Sequence, residues 1–180
     1  GGKDDSAAKA IALGAGTKIE NLKNSSSGNT TYGAVGVSLI GTTTNASAVA
    51  NRVSLTVAEG VSIDTMGYAI AGNGTYHGTD IVINGGNLTS TASAAVYHPQ
   101  AGTLVLNGGT LEATTGIQFC SGEGTVNTSF DFNGGVVKGV GEDERPGKTG
   151  DGLVSDGAAI SLVNRSYPGG APSITINGGE

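Results

Sequence analysis

The sequence predicts an all-β chain that folds as a parallel β-solenoid, a stack of about five similar coils with three short strands in each. Three observations predict this fold. The first two are that the motif Asn-Gly-Gly recurs along the chain and that each copy directly follows a short run of alternating apolar residues. The third is composition, since 33 of 180 residues are Gly and only 4 % are aromatic. Glycine at this density indicates many turns and few long helices.

Two sequence markers recur with the same drift in spacing. Asn-Gly-Gly returns after 23, 26 and 44 residues, beginning at Asn84, Asn107, Asn133 and Asn177. A small residue followed by Val or Ile returns after 33, 26, 21 and 43 residues, with the branched residue at Val37, Ile70, Val96, Ile117 and Ile160. Because both markers share the long last step, they belong to one repeating unit with loops of variable length.

Each unit carries three short apolar segments. One precedes Asn-Gly-Gly ("DIVI", "TLVL", "SFDF", "SITI"), one follows it ("NLTS", "TLEA", "VVKG"), and the third contains the small-Val/Ile marker. Alternation over four residues is typical of a strand with one buried face. A single coil cannot bury that face, so coils must stack, at roughly the 4.8 Å spacing of paired strands.

The motif itself is explained by the corner between two strands. Glycine supplies the positive φ of a sharp turn, and we expect it at Gly108. The asparagines are expected to stack into a ladder of side-chain amides, formed by Asn84, Asn107, Asn133 and Asn177.

This pattern resembles the right-handed parallel β-helix of the pectate-lyase-like superfold, including its asparagine ladder at a tight turn. More narrowly, "LVLNGGTLEATTGIQF" and "ITINGG" resemble the repeats of bacterial cell-surface β-helix proteins, many of them adhesins. The resemblance covers roughly residues 53–180. It implies the architecture and an extracellular, cell-surface location, and it specifies no activity.

The sequence favours one domain over residues 1–180, with regular coils over 53–180 and an irregular first coil or cap over 1–52. The opening "DDSAAKAIAL" is typical of a short capping helix, because an Asp or Ser precedes helix formers. Residues 138–157 are polar, charged and Gly-rich, which predicts a protruding loop. The chain ends inside its repeated motif, "SITINGGE", so we expect a fragment of a longer chain, with signals and anchors outside it.

Charge and rare residues exclude several functions. A net charge of −6 with nine Lys and Arg disfavours nucleic acid and anionic membranes as partners. The single cysteine, Cys120, permits no intrachain disulfide and no cysteine-based zinc site. "GEDERPGKT" has five residues between its glycines where a phosphate-binding loop needs four, which disfavours nucleotide binding. The same acidic loop lacks the D-x-D-x-D spacing of a calcium loop, and calcium binding there stays an open alternative. No motif requires a cofactor.

The sequence also gives only weak indications of a catalytic site. His98 shares the alternation of Phe119 and Leu162, which favours a partly buried position beneath the corner over a catalytic one. Enzymes of the resembled superfold carry clustered Asp residues with a basic partner, or paired Asp residues, whereas Asp64, Asp80 and Asp131 are isolated in sequence. The sequence therefore predicts no enzyme activity.

A binding surface is the remaining prediction. On the alternation that buries the small-Val/Ile marker, Ala71, Tyr97, Gln118 and Ser161 are expected to point outward in one column. Tyr97 and Gln118, with Tyr76 and His77 from the preceding loop, form the candidate ligand site, because an aromatic ring beside small polar groups suits a sugar's apolar face. The hypothesis is a non-catalytic surface or adhesin module for glycans or host proteins. The alternatives are a structural stalk or spacer and a fragment of a carbohydrate-active enzyme.

Overall fold

The computed structural model describes residues 9–22, 34–41, 53–74, 78–121, 128–141, 157–164 and 172–180. Throughout these ranges the regular secondary structure is β-strand, and neighbouring strands pair in parallel. No helix in the described part of the chain is long and apolar enough to cross a membrane.

The strands are short, except for two strands that have twelve residues each. In chain order they are β1 (Lys9–Leu13), β2 (Lys18–Asn21), β3 (Val37–Ser38), β4 (Val53–Val57), β5 (Ser62–Thr65), β6 (Ile70–Ala71), β7 (Thr79–Ile83), β8 (Asn87–His98), β9 (Gly102–Leu106), β10 (Thr110–Ser121), β11 (Thr128–Phe132), β12 (Val136–Gly139), β13 (Ile160–Asn164) and β14 (Ser173–Ile176).

The chain alternates between two parallel sheets. The first sheet has the order β1-β4-β7-β9-β11-β14, and the second has the order β12-β10-β8-β5-β2, with β3, β6 and β13 joined to it. Each of the first five strands of the first sheet is followed, after a short corner, by a strand of the second. We call each such strand, corner and strand a repeat, so the five repeats are β1-β2, β4-β5, β7-β8, β9-β10 and β11-β12.

The core lies between the two sheets and is built from apolar columns. Pairing without a register slip places Leu55, Ile81, Leu104 and Phe130 side by side across the first sheet. In the second sheet the equivalent buried column is Ile63, Leu88, Leu111 and Val137. Burying each such side chain contributes about 1.5–3 kcal/mol, which explains why the alternation of the sequence is kept in every repeat.

Aromatic rings pack against one another in the part of the core that the later repeats form. The Phe130 ring centroid lies 5.4 Å from that of Phe119 and 6.0 Å from that of Phe132. The His98 ring lies 5.6 Å from the Phe119 ring and is buried with it. His98 is therefore more completely buried than the partly buried position expected, whereas Leu162, which shares the same alternation, is exposed.

The prediction of three separate short strands per unit is wrong for two units. β8 and β10 each continue through both the segment after Asn-Gly-Gly and the small-Val/Ile marker. The bend between these segments is absorbed by a shift of register between Ala113 and Thr115 on β10, rather than by a break in the strand. Sequence alternation does not distinguish the two cases, because a bulge also resets which face is buried.

The predicted helix at the start of the chain is also wrong over the residues that the structure describes. Lys9–Leu13 is a strand, paired with β4 in register from Lys9 with Val53 to Leu13 with Val57. The helix propensity of alanine is worth less than about 1 kcal/mol per residue, and pairing with an available sheet edge outweighs it. Residues 1–8 lie outside the described ranges.

Positive φ occurs at the second glycine of each motif. It is 94° at Gly86, 94° at Gly109, 100° at Gly135 and 97° at Gly179. The expectation for Gly108 is therefore wrong, although that residue is also tightly placed: a Cβ there would lie 2.9 Å from the Asn84 carbonyl oxygen. Of the predicted loop over 138–157, residues 142–156 lie outside the described ranges, and β12 extends to Gly139.

Candidate functional site

The predicted outer column exists as a column but not as an exposed surface. Ala71 pairs with Tyr97, Tyr97 with Gln118, and Gln118 with Ser161. All four residues are buried, with Tyr97 and Gln118 at 0 % exposure. The prediction that they face solvent is wrong, because alternation assigns a residue to a face of a sheet and does not reveal whether another layer covers that face.

These residues belong to a second apolar cluster, separate from the core between the sheets. The Tyr68 ring stacks on the Tyr97 ring with centroids 4.8 Å apart and planes inclined by 16°. Ala71, Ala94 and Cys120 complete the cluster, and the Cys120 thiol lies 3.9 Å from Tyr97 Oη. Both rings are covered, so in this arrangement they offer no face to a sugar. Tyr76 and His77, the other two predicted ligand residues, lie outside the described residues.

Among the described residues, His98 is the ionisable side chain whose pKa clearly shifts. Burial lowers its pKa from 6.5 to about 4, and its own backbone and the negative charge of Asp80 act weakly in the opposite direction. Neither ring nitrogen has a hydrogen-bond partner of good geometry. The ring is therefore neutral at pH 7, and it packs on Phe119 as an apolar group would.

The asparagines of the corners are joined by side-chain hydrogen bonds. Asn107 Nδ2 donates to Asn84 Oδ1 at 2.8 Å, Asn133 Nδ2 donates to Asn107 Oδ1 at 2.9 Å, and Asn177 Nδ2 donates to Asn133 Oδ1 at 2.8 Å. This is the ladder expected from the motif. It is exposed to solvent, and it links repeats that are 23, 26 and 44 residues apart in sequence.

The ladder ends where the corners change length. Three residues separate β7 from β8, β9 from β10, and β11 from β12, whereas four separate β1 from β2 and β4 from β5. In the second repeat, Ala58 directly follows the strand where later repeats have Asn, so Asn84 Nδ2 has no asparagine acceptor below it. The longer corner, with Glu59 and Gly60, lies directly against the glycine corner of the next repeat: a Cβ on Gly85 would be 2.9 Å from Glu59 Cα.

This step in corner length forms a concavity of about 510 Å³, which we call the notch. Glycine backbone lines much of it, at Gly60, Gly85, Gly86, Gly108 and Gly109. Its side-chain groups are the Glu59 carboxylate, the Ser62 hydroxyl, the amides of Asn84 and Asn87, and Val61. Glu59, Asn84 and Asn87 are exposed and Ser62 is half-buried, so their polar groups are open to a ligand.

The chemistry of the notch is hydrogen bonding by mostly neutral groups. Two amides provide donors and acceptors, one hydroxyl provides both, and the Glu59 carboxylate provides strong acceptors. Because glycines carry no side chain, a ligand can approach the backbone closely. Among the lining residues that the structure describes, Glu59 is the only ionisable one, so the side-chain charge of this lining is negative.

Sequence reasoning missed Glu59, Ser62 and Asn87 as site residues. The available signal was the replacement of Asn-Gly-Gly by Ala58-Glu59-Gly60-Val61, one residue longer, between two otherwise equivalent strands. That difference predicts a step in the surface once the strands are stacked in register.

Metal coordination does not distinguish any region of the described chain. Within the ranges that the structure describes, no three His, Cys, Asp or Glu side chains come together to hold a metal ion. Comparison with known proteins gives no match to any family model, curated protein or solved structure. The functional argument therefore rests on the geometry of the notch.

Proposed function

We propose that the chain is a non-catalytic module of an extracellular, cell-surface protein of the adhesin type, and that it binds a glycan or a host surface protein at the notch. The observation that carries this proposal is the notch itself, where exposed amide and carboxylate groups surround a floor of glycine backbone. A volume of about 510 Å³ is within the range of protein ligand sites. The site lies on corners held by regular strands, which keeps its groups in fixed positions.

We also propose the finer architecture, a right-handed parallel β-helix of about five coils. Three features support it: the chain alternates between two parallel sheets, each repeat stacks on the previous one in register, and glycines of positive φ recur at equivalent corners. Crossover connections between parallel strands of one sheet are right-handed in nearly all proteins, which supports the proposed handedness.

The proposal assigns no reaction to this chain. Glycoside cleavage requires two carboxyl groups flanking one bond. Asp64 lies on β5 in the second sheet, and Asp80 and Asp131 lie on β7 and β11 of the first sheet, with β9 between them. What supports a non-catalytic role is that these acids lie on separate, non-adjacent strands.

The test is a binding screen with a matched pair of variants. The purified chain would be applied to a glycan array and to an array of host surface proteins, together with Asn87→Ala and Ser129→Ala. Asn87 is in the notch and Ser129 is on the outer face of the first sheet, and neither side chain is buried. We expect at least one ligand that Asn87→Ala weakens about tenfold and Ser129→Ala leaves unchanged. Equal binding by both variants would place the site elsewhere.

The second candidate is a structural spacer, and the asparagine ladder favours it. Hydrogen bonds between Asn84, Asn107, Asn133 and Asn177 add to the backbone pairing along the stacking direction. A spacer would bind nothing on either array. In single-molecule stretching it would unfold at high force, and that force would fall when Asn107 and Asn133 are both replaced by Ala.

A further inference from the structure

The notch extends across three consecutive repeats. Glu59 and Ser62 belong to the second repeat, Asn84 and Asn87 to the third, and Gly108 and Gly109 to the fourth. Strands in a sheet lie about 4.8 Å apart, so equivalent groups along the notch recur at that step. A ligand that follows the notch therefore lies parallel to the stacking direction and perpendicular to the strands.

Polar groups border this path in a repeating order. Ser62, Asn87 and Thr110 pair in register at the start of successive strands of the second sheet. On the other border, Asn107 donates to Asn84 within the ladder. Ser62, Asn84 and Asn87 line the notch itself, and Thr110 and Asn107 continue the two columns into the fourth repeat, which lines the notch with glycine alone. The matching ligand is therefore one whose own hydrogen-bonding groups recur along its length.

We propose that the notch binds a linear polysaccharide of equatorially linked hexoses, neutral or amine-bearing, with one sugar over each repeat. The inference rests on the proposed binding function and specifies its ligand. Extended hexose chains of this linkage advance per sugar by a step close to the strand spacing, with successive rings rotated by about half a turn. Every ring has hydroxyl groups at both edges of the chain, and these both donate and accept hydrogen bonds on either border of the notch. The glycine floor lets the sugar rings approach the backbone without meeting a side chain.

The charge of the notch selects among such polysaccharides. Glu59 is the only ionisable residue in the described part of its lining, and the chain carries a net charge of −6. On the outer face of the second sheet next to the notch, Glu20 pairs with Asp64 and Lys18 pairs with Ser62, so charges of both signs flank it and the charge of the lining itself is that of Glu59. A uronate polymer would place a carboxylate next to that of Glu59, whereas an amino sugar gains a charge-assisted hydrogen bond to Glu59.

The experiment is calorimetric titration with three β-1,4-linked series of equal backbone geometry. These are glucosamine oligomers, cello-oligosaccharides and glucuronic acid oligomers, each from monomer to hexamer, with α-linked malto-oligosaccharides as the shape control. We expect affinity to rise up to the trimer and to change less than about twofold beyond it, because the notch spans three repeats. We expect glucuronic acid oligomers to bind at least about tenfold more weakly than glucosamine oligomers of the same length, and malto-oligosaccharides to bind weakly at every length.

Two variants separate the role of Glu59 from that of net charge. Glu59→Gln is expected to weaken binding of the glucosamine trimer about tenfold and to leave the cellotriose affinity within about twofold. Asp131→Asn removes the same charge on the outer face of the first sheet and is expected to change neither affinity. Circular dichroism of both variants checks that the fold is unchanged.

Each other outcome contradicts a stated part of the inference. Equal affinity for glucuronic acid oligomers overturns the charge argument, and affinity that is independent of length overturns the alignment along the stacking direction. If no β-1,4-linked oligomer binds while a host protein or another glycan binds in the array screen and is weakened by Asn87→Ala, the inference fails and the proposed function stands. If nothing binds in either experiment, both fail and the spacer role is favoured.

Discussion

Replacing Gly109 by Ala tests whether the corners stack as closely as the structure indicates. Gly109 has φ of 94°, and a Cβ on it would lie 2.5 Å from the Gly86 carbonyl oxygen and 2.8 Å from the Gly85 carbonyl carbon. Both contacts are with backbone, which cannot rotate away as a flexible side chain can. The substitution therefore combines an unfavourable backbone conformation with a steric conflict between adjacent repeats.

The expected magnitude follows from these two contributions. A left-handed conformation costs a residue with a Cβ about 1–2 kcal/mol, and overpacking costs about 1–3 kcal/mol. Alanine also reduces the entropy of the unfolded chain, which returns about 0.4–1 kcal/mol. We expect Gly109→Ala to lower the free energy of unfolding by about 3 kcal/mol, a large share of the ~5–15 kcal/mol typical of a domain.

Three control variants separate the contributions. Gly60 has φ of 77°, and a Cβ on it would lie 3.7 Å from its nearest neighbour, the Gly16 amide nitrogen, so Gly60→Ala tests the conformation alone at about 1 kcal/mol. Gly108 has no positive φ but lies close to Asn84, so Gly108→Ala tests close approach alone. A Cβ on Gly14 would meet no described atom within 4 Å, and its φ is not positive, so Gly14→Ala should leave stability unchanged or raise it slightly.

Urea denaturation followed by far-ultraviolet circular dichroism measures all four variants. The expected order of destabilisation is Gly109→Ala first, then Gly60→Ala and Gly108→Ala, with Gly14→Ala last. If Gly109→Ala costs no more than Gly60→Ala, the backbone of Gly86 does not lie against this corner, and the stacking of the repeats as described is wrong.

Three further variants test the core, the ladder and the buried histidine. Phe130→Ala should lower the free energy of unfolding by about 3–5 kcal/mol in urea denaturation, because the ring is fully buried between two others; a loss below about 1 kcal/mol would contradict that packing. Asn107→Ala removes both of its ladder bonds, each worth about 0.5–1.5 kcal/mol, and should lower the free energy of unfolding by about 1–3 kcal/mol. Replacing the exposed Asn87, which lies outside the ladder, by Ala should change it very little. The pKa of His98 is lowered from 6.5 to about 4 in the folded chain. Between pH 6.5 and about pH 4 the unfolded chain therefore binds more protons than the folded chain. The free energy of unfolding should fall as pH decreases through this window, by at most about 3 kcal/mol. His98→Leu should remove this part of the pH dependence, and denaturation curves that change equally with pH in both proteins would show that His98 is not buried as a neutral ring.

Much of the parallel pairing is predictable from the sequence, because equivalent residues repeat. The spacing of Asn84, Asn107, Asn133 and Asn177 determines which strands are neighbours, and their amides are hydrogen-bonded in that order. The alternation around each motif also identifies the interior column that contains Leu104. Periodicity carries this information because a shift of one residue would turn every apolar side chain of a strand outward.

Properties that depend on more than one repeat are harder to predict. The positive φ falls on Gly109 rather than Gly108, and the motif alone does not distinguish the two glycines because both lie in tight contact with the preceding corner. The strand at Lys9–Leu13 forms because β4 offers an edge, whereas its own composition favours a helix. In both cases a neighbouring repeat decides the local conformation.

The candidate site is also difficult to predict from the sequence, because it depends on contacts between repeats. Tyr97 attracted attention as an aromatic residue on the outward alternation, but Tyr68 stacks on it and the pair is buried. Ala58-Glu59-Gly60 is recognisable in the sequence as a replacement of Asn-Gly-Gly, but Glu59 was not predicted to be a site residue because a single acidic residue in a turn is ordinary. The extra residue in its corner places it in the lining of a concavity. In a repeating fold the uniform repeats determine stability, and a departure from uniformity creates the shape that a ligand can recognise. A search for function in such chains should therefore begin where the corner length changes, which here is between Ala58 and Asn87.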